Sequence, residues 1–429
     1  MTKKYDFNIQ TDLEAFNKFS EENSGSIYQS SYWASVKNMW KPYYYMAYDG
    51  HVPVFACLCL ERNVKVGKLW YCPDSFVCDY KNKELISQFS SFIKEEMKKH
   101  NIFTLLCDPT IITKINKDKI DNNEAFNNLI SAGFEENKDK EFYIVQPNIT
   151  VGVHLENEDK RFTCDEILAK CEKGVRHGLK TGIAGGLKYE KFTSVKGNGI
   201  IDEFYGIMTE TSDRVSFIQR TKDYYENIIE SLQGHATLDM VYYDVKEEKE
   251  KNRQNLAKRD ELLAKYEKKA EPRIKKEIDD INKQIKTYDK VMDEIKKEYS
   301  EIPERIYLAG GITSYFGKTS ICLYGGTRNI LRNTLKPSNY LNWIRLEESI
   351  NKGCAFHDLG RVTGNPYDEN NPLFGLCSYK KSFAGDFVEY VGDMYLTVNK
   401  FKLLLFCNVL PLYQKLKNRV FKKIIKRTR

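Results

Sequence analysis

An α/β fold in two units, the second interrupted by a helical hairpin, is what this 429-residue sequence predicts. Three observations predict it. Strand-like and helix-like patterns alternate along the first 150 residues, a nearly all-charged stretch from 245 to 301 carries apolar residues at helical spacing, and strand patterns resume after it. With 41% hydrophobic and 13% aromatic residues, the chain can bury more than one core.

The first unit, residues 1–150, starts with "DLEAFNKFS", an amphipathic helix. "YYYMAYDG" and "VPVFACLCLER" read as strands around a turn at Asp49-Gly50, "ELISQFSSFIKEEMKKHN" as a helix, and "IFTLLCDP" as a buried strand. The second unit occupies 151–244 and 302–398. It begins near "FTCDEILAKCEKGVRHGLKTG", where Lys173, Arg176 and Lys180 recur on one helical face, and runs through the helix "TKDYYENIIESLQGH" to the strand "ATLDMVYYDV". Between its halves, Ile274, Ile278, Ile281, Ile285, Tyr288, Met292, Ile295 and Tyr299 repeat at alternating spacings of four and three. Leu256, Leu263, Tyr266 and Ala270 do so before Pro272, so residues 245–301 predict an antiparallel coiled-coil arm turning near "KAEPR".

After the arm, "RIYLAGGITSYFG" and "KTSICLYGGT" pair around Gly317-Lys318, "PSNYLNWIRLEESINKG" is a helix closed by Gly353, and "CAFHDLG" is a strand. The "GKT" here is not a phosphate loop, because Ile312 stands where the first glycine is required and strands flank it on both sides. Residues 373–393, "LFGLCSYKKSFAGDFVEYVGD", read as interior strand, yet they carry Lys380 and Lys381. A buried ammonium costs several kcal/mol unless it is paired, and strand alternation sends these two lysines to opposite sides.

Composition excludes several classes. The N-terminus shows no apolar run behind its lysines, so no signal peptide is expected. The apolar stretch at 403–412 is broken by Asn408 and Pro411 and falls short of the ~20 residues of a spanning helix. Eleven scattered cysteines, with one Cys-x-Cys at Cys57 and Cys59, argue against a zinc site or a disulfide framework and suit a reducing cytoplasm. No metal and no resident cofactor are expected. The net charge is +7, but ten cations and no acid follow Asp393, so the rest sums to 7 − 10 = −3. The tail, 399–429, interleaves cations with Leu416, Val420, Phe421, Ile424 and Ile425. It reads as a basic amphipathic helix for an anionic membrane surface, a solvated terminus, or a nucleic-acid contact.

Candidate chemistry is sparse. Asp108 ends the strand "FTLLC", where α/β sheets place ligand groups and where turn aspartates also fall. Lys37 lies among Trp33, Trp40 and Tyr43, either a groove wall or core. Arg220 and Tyr224 share a face if "RTKDYY" is helical. His357 beside Asp358 is a general base or a hydrogen-bonded strand residue. No serine, cysteine or histidine forms a readable nucleophile motif.

In order, "SSYWASVKNMWKP", "CDP", "RTKDYY", the inserted arm, "YLAGGITSYFGKTSICLYGGT", "YLNWIRLEESINKGCAFHDLG" and "LFGLCSYKKSFAGDFVEYVGD" resemble the Fem family of peptidoglycan-bridge aminoacyltransferases over nearly the whole chain. The resemblance implies two N-acetyltransferase-like (GNAT-type) domains, the second carrying the arm. It also implies transfer of an amino acid from aminoacyl-tRNA, a co-substrate, to an amine on the stem peptide of a cell-wall precursor. The arm makes the chain look like members acting on lipid-linked precursor. By the same resemblance, Lys37 matches a lysine that contacts the precursor's nucleotide or diphosphate, and Arg220 and Tyr224 line that cleft. Asp108 matches a carboxylate near the acceptor amine, Tyr324 a tyrosine beside the peptide, and Lys380 a lysine that stabilises the reacting carbonyl. Two positions depart from the pattern. Phe103 removes a hydroxyl expected in the pocket wall, and Arg361 replaces a small residue, which suggests that it pairs with a stem-peptide carboxylate.

Lys173, Arg176 and Lys180 are either a tRNA-binding face or a solvated one. The expected setting is the inner face of the plasma membrane, as a monomer or weak dimer. Two other readings are an acyl-CoA-dependent N-acyltransferase, for which no pyrophosphate-cradling loop is evident, and a non-catalytic coiled-coil interaction protein.

Overall fold

The computed structural model describes residues 3–137, 146–215 and 217–407. Within them the expected strands are β2 (Lys41–Asp49), β3 (Val52–Val64) and β6 (Ile102–Cys107), joined by β1 (Asp6–Ile9), β4 (Gly67–Cys72) and β5 (Val77–Cys78), which the sequence did not announce. The next three are β7 (Ile112–Ile115), β8 (Asp118–Lys119) and β9 (Phe134–Glu136). Beyond these lie β10 (Ile149–His154), β11 (Leu187–Phe192), β12 (Ala236–Asp244), β13 (Arg305–Phe316) and β14 (Thr319–Thr327). The last strands are β15 (Phe356–Val362), β16 (Asp386–Tyr390) and β17 (Met394–Thr397).

Two mixed sheets result. One runs β1-β2-β3-β4-β6-β17-β9, with β5 against β3; the other runs β11-β12-β13-β14-β15-β10-β16-β7-β8. Each has one internal parallel step, β4 with β6 and β14 with β15, and the other pairings are antiparallel. The helix Lys83–Lys99 shows why local sequence suffices for much of this. Asn82 caps it, Glu84 and Lys98–Lys99 suit the helix dipole, and Leu85, Ile86, Phe89, Ile93 and Met97 face the first sheet. Those side chains join Tyr45, Phe55, Trp70 and Leu105 in one core.

The sheets do not follow the sequence division at residue 150. β7 and β8 precede that point yet extend the second sheet through β16, while β17, from the end of the second unit, inserts between β6 and β9 of the first. β6 is buried along its whole length. A buried strand needs backbone partners on both edges, and β17 supplies the second edge. The pairing is non-local, so alternation within either strand cannot announce it.

The arm is a pair of packed helices, Val245–Lys268 and Pro272–Glu298. Its outer seam is Leu262, Ile278, Ile281 and Ile285, with Leu256, Tyr266 and Ile274 alongside. Leu263, expected in the seam, is exposed, and Leu262 takes the place. At the base, Val245, Val291, Met292 and Ile295 enter the core of the second sheet beside Tyr243 and Ile306. A cavity of about 710 Å³ at that base is lined by Lys246, Lys249 and Lys296 together with Asp289, Asp293 and Glu304, a charge-balanced set.

Two further expectations are corrected. Residues Phe374–Lys381 form a helix rather than a strand, and the strand starts only at Asp386. Eight residues are too few for periodicity to separate the two states; burial of Cys377 and Phe383 in the second core decides for the helix. Phe103, expected in a pocket wall, is a core residue. It packs with Leu69, Leu106, Tyr395 and Phe406, its ring 5.8 Å from Phe406 in the helical segment 400–407. The remainder of the basic tail, from 408, lies outside the described residues; among the residues that are described, no helix is long and apolar enough to cross a membrane.

Candidate active site

The end of β6 and the turn after β4 meet the second sheet at β15. There the candidate residues assemble. Asp108, directly after β6, is only 5% exposed. Its Oδ1 accepts the backbone N–H of Asp74 at 3.0 Å and its Oδ2 accepts Gln146 Nε2 at 3.2 Å. Burial above all, then the neighbouring Asp74 carboxylate, raises its carboxyl well above the usual range, against the pull of Arg361.

Arg361 does not stand open to a ligand carboxylate, as expected from sequence. Its Nη2 lies 3.2 Å from Asp74 Oδ1, its Nη1 donates to Pro147 O at 3.2 Å, and its guanidinium lies 4.7 Å over the Tyr390 ring. The physical reason is burial. A desolvated guanidinium needs a fixed counter-charge, and Asp74, from the first sheet, supplies it. Asp74 went unnoticed in the sequence; its one signal is the "PDS" turn it shares with Pro73 and Ser75.

Lys380 projects from the helix Phe374–Lys381 and donates to the carbonyls of Gly360 at 2.9 Å and Arg361 at 3.3 Å. Burial lowers its pKa, while the nearby Asp358 opposes that shift. Gly360 permits the approach: it has φ +95°, and a Cβ there would stand 3.2 Å from the ammonium. Asp358 is itself held by Thr150 Oγ1 at 2.5 Å and the Gly360 N–H at 2.6 Å. His357 is not a base. Its Nδ1 sits 2.8 Å from Ser320 Oγ and 2.9 Å from Ser349 Oγ, and burial, then Arg345, pushes its pKa down to about 3.

A second cluster adjoins the first through tyrosines. Lys37 follows the helix Ser31–Val36 and donates to Tyr224 Oη at 2.5 Å. Its ammonium lies 4.7 Å from the Trp33 ring, 4.9 Å from Tyr224 and 5.7 Å from Trp40. Burial, then Arg220 and Arg62, pushes its pKa down to about 8, and no carboxylate among the described residues opposes them. Arg220 precedes the helix Lys222–Ser231 rather than sharing its face, yet its guanidinium stays 5.4 Å from the Tyr224 ring and bonds Tyr324. Tyr324, on β14, stands 6.3 Å from Tyr224 and 5.1 Å from Tyr225 between centroids. Tyr28, beside Trp33 at 4.6 Å, lies near Asp74, Asp358 and Tyr324 and links the two clusters.

Lys37, Asp108, Arg220, Tyr224, Tyr324, Arg361 and Lys380 thus form one connected region. Lys173, Arg176 and Lys180 do not join it. They lie on the helix Lys173–Ala184, where Lys173 and Lys180 are exposed and Arg176 donates to Ala169 O at 2.7 Å. Among the described residues no cluster of His, Cys, Asp or Glu is arranged to hold a metal ion.

A buried carboxyl at the end of a strand of the first sheet and a lysine on a helix beside the second sheet face one connected polar region. The FemAB family model matches residues 11–408, and the chain belongs to the FemAB family. Lipid II:glycine glycyltransferases from Staphylococcus aureus strains MSSA476 and NCTC 8325 / PS 47 are 26% identical over 413 residues, 94% of this chain and 95% of theirs. The crystal structure of FemX shares the fold with a TM-score of 0.76 at 24% identity, covering 95% of this chain and 99% of that one.

Proposed function

We propose that this protein transfers an amino acid from aminoacyl-tRNA to an amine on the stem peptide of a peptidoglycan precursor, lipid-linked at the membrane, and so builds the interpeptide bridge. The observation that carries this reading is that the buried Asp108 and the half-buried Lys380 are linked, through Asp74 and Arg361, where the two sheets meet. Family membership and the names of the relatives support it.

The chemistry is ester aminolysis. The acceptor nitrogen attacks the ester carbonyl, a C–N bond forms, and the carbonyl oxygen becomes an oxyanion. Lys380 is placed to stabilise that charge, and Asp108 to take the proton the nitrogen sheds. Collapse breaks the C–O bond, and the departing ribose oxygen takes up the proton that Asp108 accepted from the nitrogen, directly or through water. An ester is already activated, so holding the partners in register suffices without a covalent enzyme intermediate. The cage of Lys37, Arg220 and Tyr224 is suited to the phosphates of the precursor.

The test supplies purified protein with individually charged tRNAs, glycyl-tRNA first, and either lipid-linked or nucleotide-linked precursor, and follows amino-acid incorporation by mass. Transfer to the lipid-linked acceptor is expected. Failure with every charged tRNA, with acylation from a CoA thioester instead, would replace this reading by an acyl-CoA-dependent one.

Two narrower expectations follow. Lys37→Ala will raise the acceptor KM about tenfold, the weight of one charge-assisted phosphate contact, with kcat nearly kept. Because the ammonium titrates near 8, acceptor affinity will weaken as pH rises through that value in the wild type and hold in Lys37→Arg. An acceptor KM with the same pH course in both would remove Lys37 from the phosphate site.

The basic tail is assigned to the anionic membrane surface. Deleting residues 413–429 will reduce binding to vesicles containing anionic lipid, and so will raising the salt from 0.05 to about 0.5 M, which shortens the screening length several-fold. Binding that ignores salt would contradict the electrostatic attachment.

A further inference from the structure

Asp74 and the following Ser75 both adopt left-handed backbone conformations, φ +54° and +65°, which non-glycine residues rarely hold. Such conformations persist only where the surroundings over-determine them. Here three contacts do so. The Asp74 N–H points at Asp108 Oδ1 at 3.0 Å, its Oδ2 accepts Ser26 Oγ at 2.6 Å, and its Oδ1 faces Arg361 at 3.2 Å. The turn therefore aims the backbone of one residue at one group of the site and its side chain at another.

The path does not stop at Arg361. The carbonyl of Arg361 accepts Lys380 Nζ at 3.3 Å, and the preceding Gly360 carbonyl accepts it at 2.9 Å. Asp108, Asp74, Arg361 and Lys380 thus form an unbroken hydrogen-bonded chain that starts on the first sheet and ends over the second. Without the ion pair in its middle, nothing among these contacts would tie Asp108 to Lys380.

We propose that Asp74 and Arg361 are a positioning pair that fixes the separation of Asp108 and Lys380 across the two sheets. This rests on the aminoacyl-transfer reading above, in which those two groups bracket the reacting carbonyl and amine. Neither member of the pair touches substrate. Its contribution is geometric, and it falls on turnover rather than on binding, because a displaced catalytic group still leaves the ligand cage at Lys37 and Arg220 intact.

The experiment compares Asp74→Asn, Arg361→Gln and the double variant in the full-length protein, with the charged tRNA and precursor that support wild-type transfer. Asn retains the left-handed backbone and the N–H to Asp108 while removing the charge. Each single variant should lose roughly tenfold to a hundredfold in kcat, with acceptor KM within about twofold. The double variant should be no worse than the weaker single, since the second change removes an interaction already lost.

A pH profile separates positioning from mere stability. Asp108 is faced by Asp74, Arg361, Asp393, Tyr71 and Gln146. Removing the Asp74 charge should move the acid limb of kcat/KM to lower pH, and removing the Arg361 charge should move it to higher pH. Additive losses with both limbs unmoved would overturn the inference while leaving the activity reading intact; no transfer by the wild type would overturn that reading and this inference with it. If Arg361→Gln does not fold, Asp74→Gly carries the test. It keeps the backbone contact and should match Asp74→Asn in kcat, and wild-type turnover in Asp74→Gly would refute the pair.

Discussion

Lys380→Ala will lower kcat by roughly a hundredfold to a thousandfold, about 3–4 kcal/mol of transition-state stabilisation, which is the range found when one oxyanion donor is removed. Acceptor KM will stay near the wild-type value, because the ammonium meets charge that exists only as the carbonyl is attacked. Lys381→Ala is the control. Its ammonium lies 5.1 Å over Phe387 and 5.7 Å over Tyr367, contacts that belong to packing of the second core. Its loss should cost turnover little. Steady-state kinetics on both variants decide the matter, and equal losses would mean that Lys380 does not face the reaction.

Asp108→Asn is the second large effect. Removing the proton acceptor should lower kcat/KM by about 10² to 10⁴ and abolish the acid limb of the pH profile. The same substitution has an opposite consequence for stability. Burial raises the Asp108 pKa in the folded protein above its unfolded value, so the wild type is stabilised by this group only while it is protonated, and that contribution fades as pH rises. The Asn variant lacks the penalty. It should therefore melt above the wild type at pH 8, and the gap should close as pH falls toward the ordinary aspartate range. Thermal melts across pH check the sign. A gap that widens in acid, or an Asn variant with wild-type turnover, would remove Asp108 from the proposed chemistry.

The two predictions pull apart because the site sets turnover against stability. Asp108 lies near Asp74 and Asp393, with Arg361 as the cation that moderates them. A core made only to be stable would hold fewer carboxylates there. Clustering them raises the proton affinity of Asp108, which the proposed role as proton acceptor would use.

Much of this was legible in sequence. The arm announced itself through Ile274, Ile278, Ile281 and Ile285, because a two-helix seam is a local, periodic demand. The β13–β14 hairpin did so through Gly317-Lys318 and its alternating flanks. Asp108 was legible as a strand-end carboxylate, and Lys380 as a cation in a segment otherwise fit for a core. What misled was short or non-local. The helix around Lys380 looked like a strand because eight residues carry too little period. Arg361 looked like a ligand contact because its partner, Asp74, lies 287 residues away in sequence.

The sequence by itself therefore determined the α/β class, the inserted hairpin, the charge asymmetry of the tail and the residue types available for chemistry, each of which depends on patterns spanning one or a few turns of chain. Only the tertiary structure decided which strands complete which sheet, that β17 closes the edge of β6 while β7 and β8 cross to the other sheet, and that Asp74 stands between Asp108 and Arg361. Those outcomes follow from burial. Backbone groups and charges removed from water must find partners wherever the fold brings them, and local pattern carries no record of where that is.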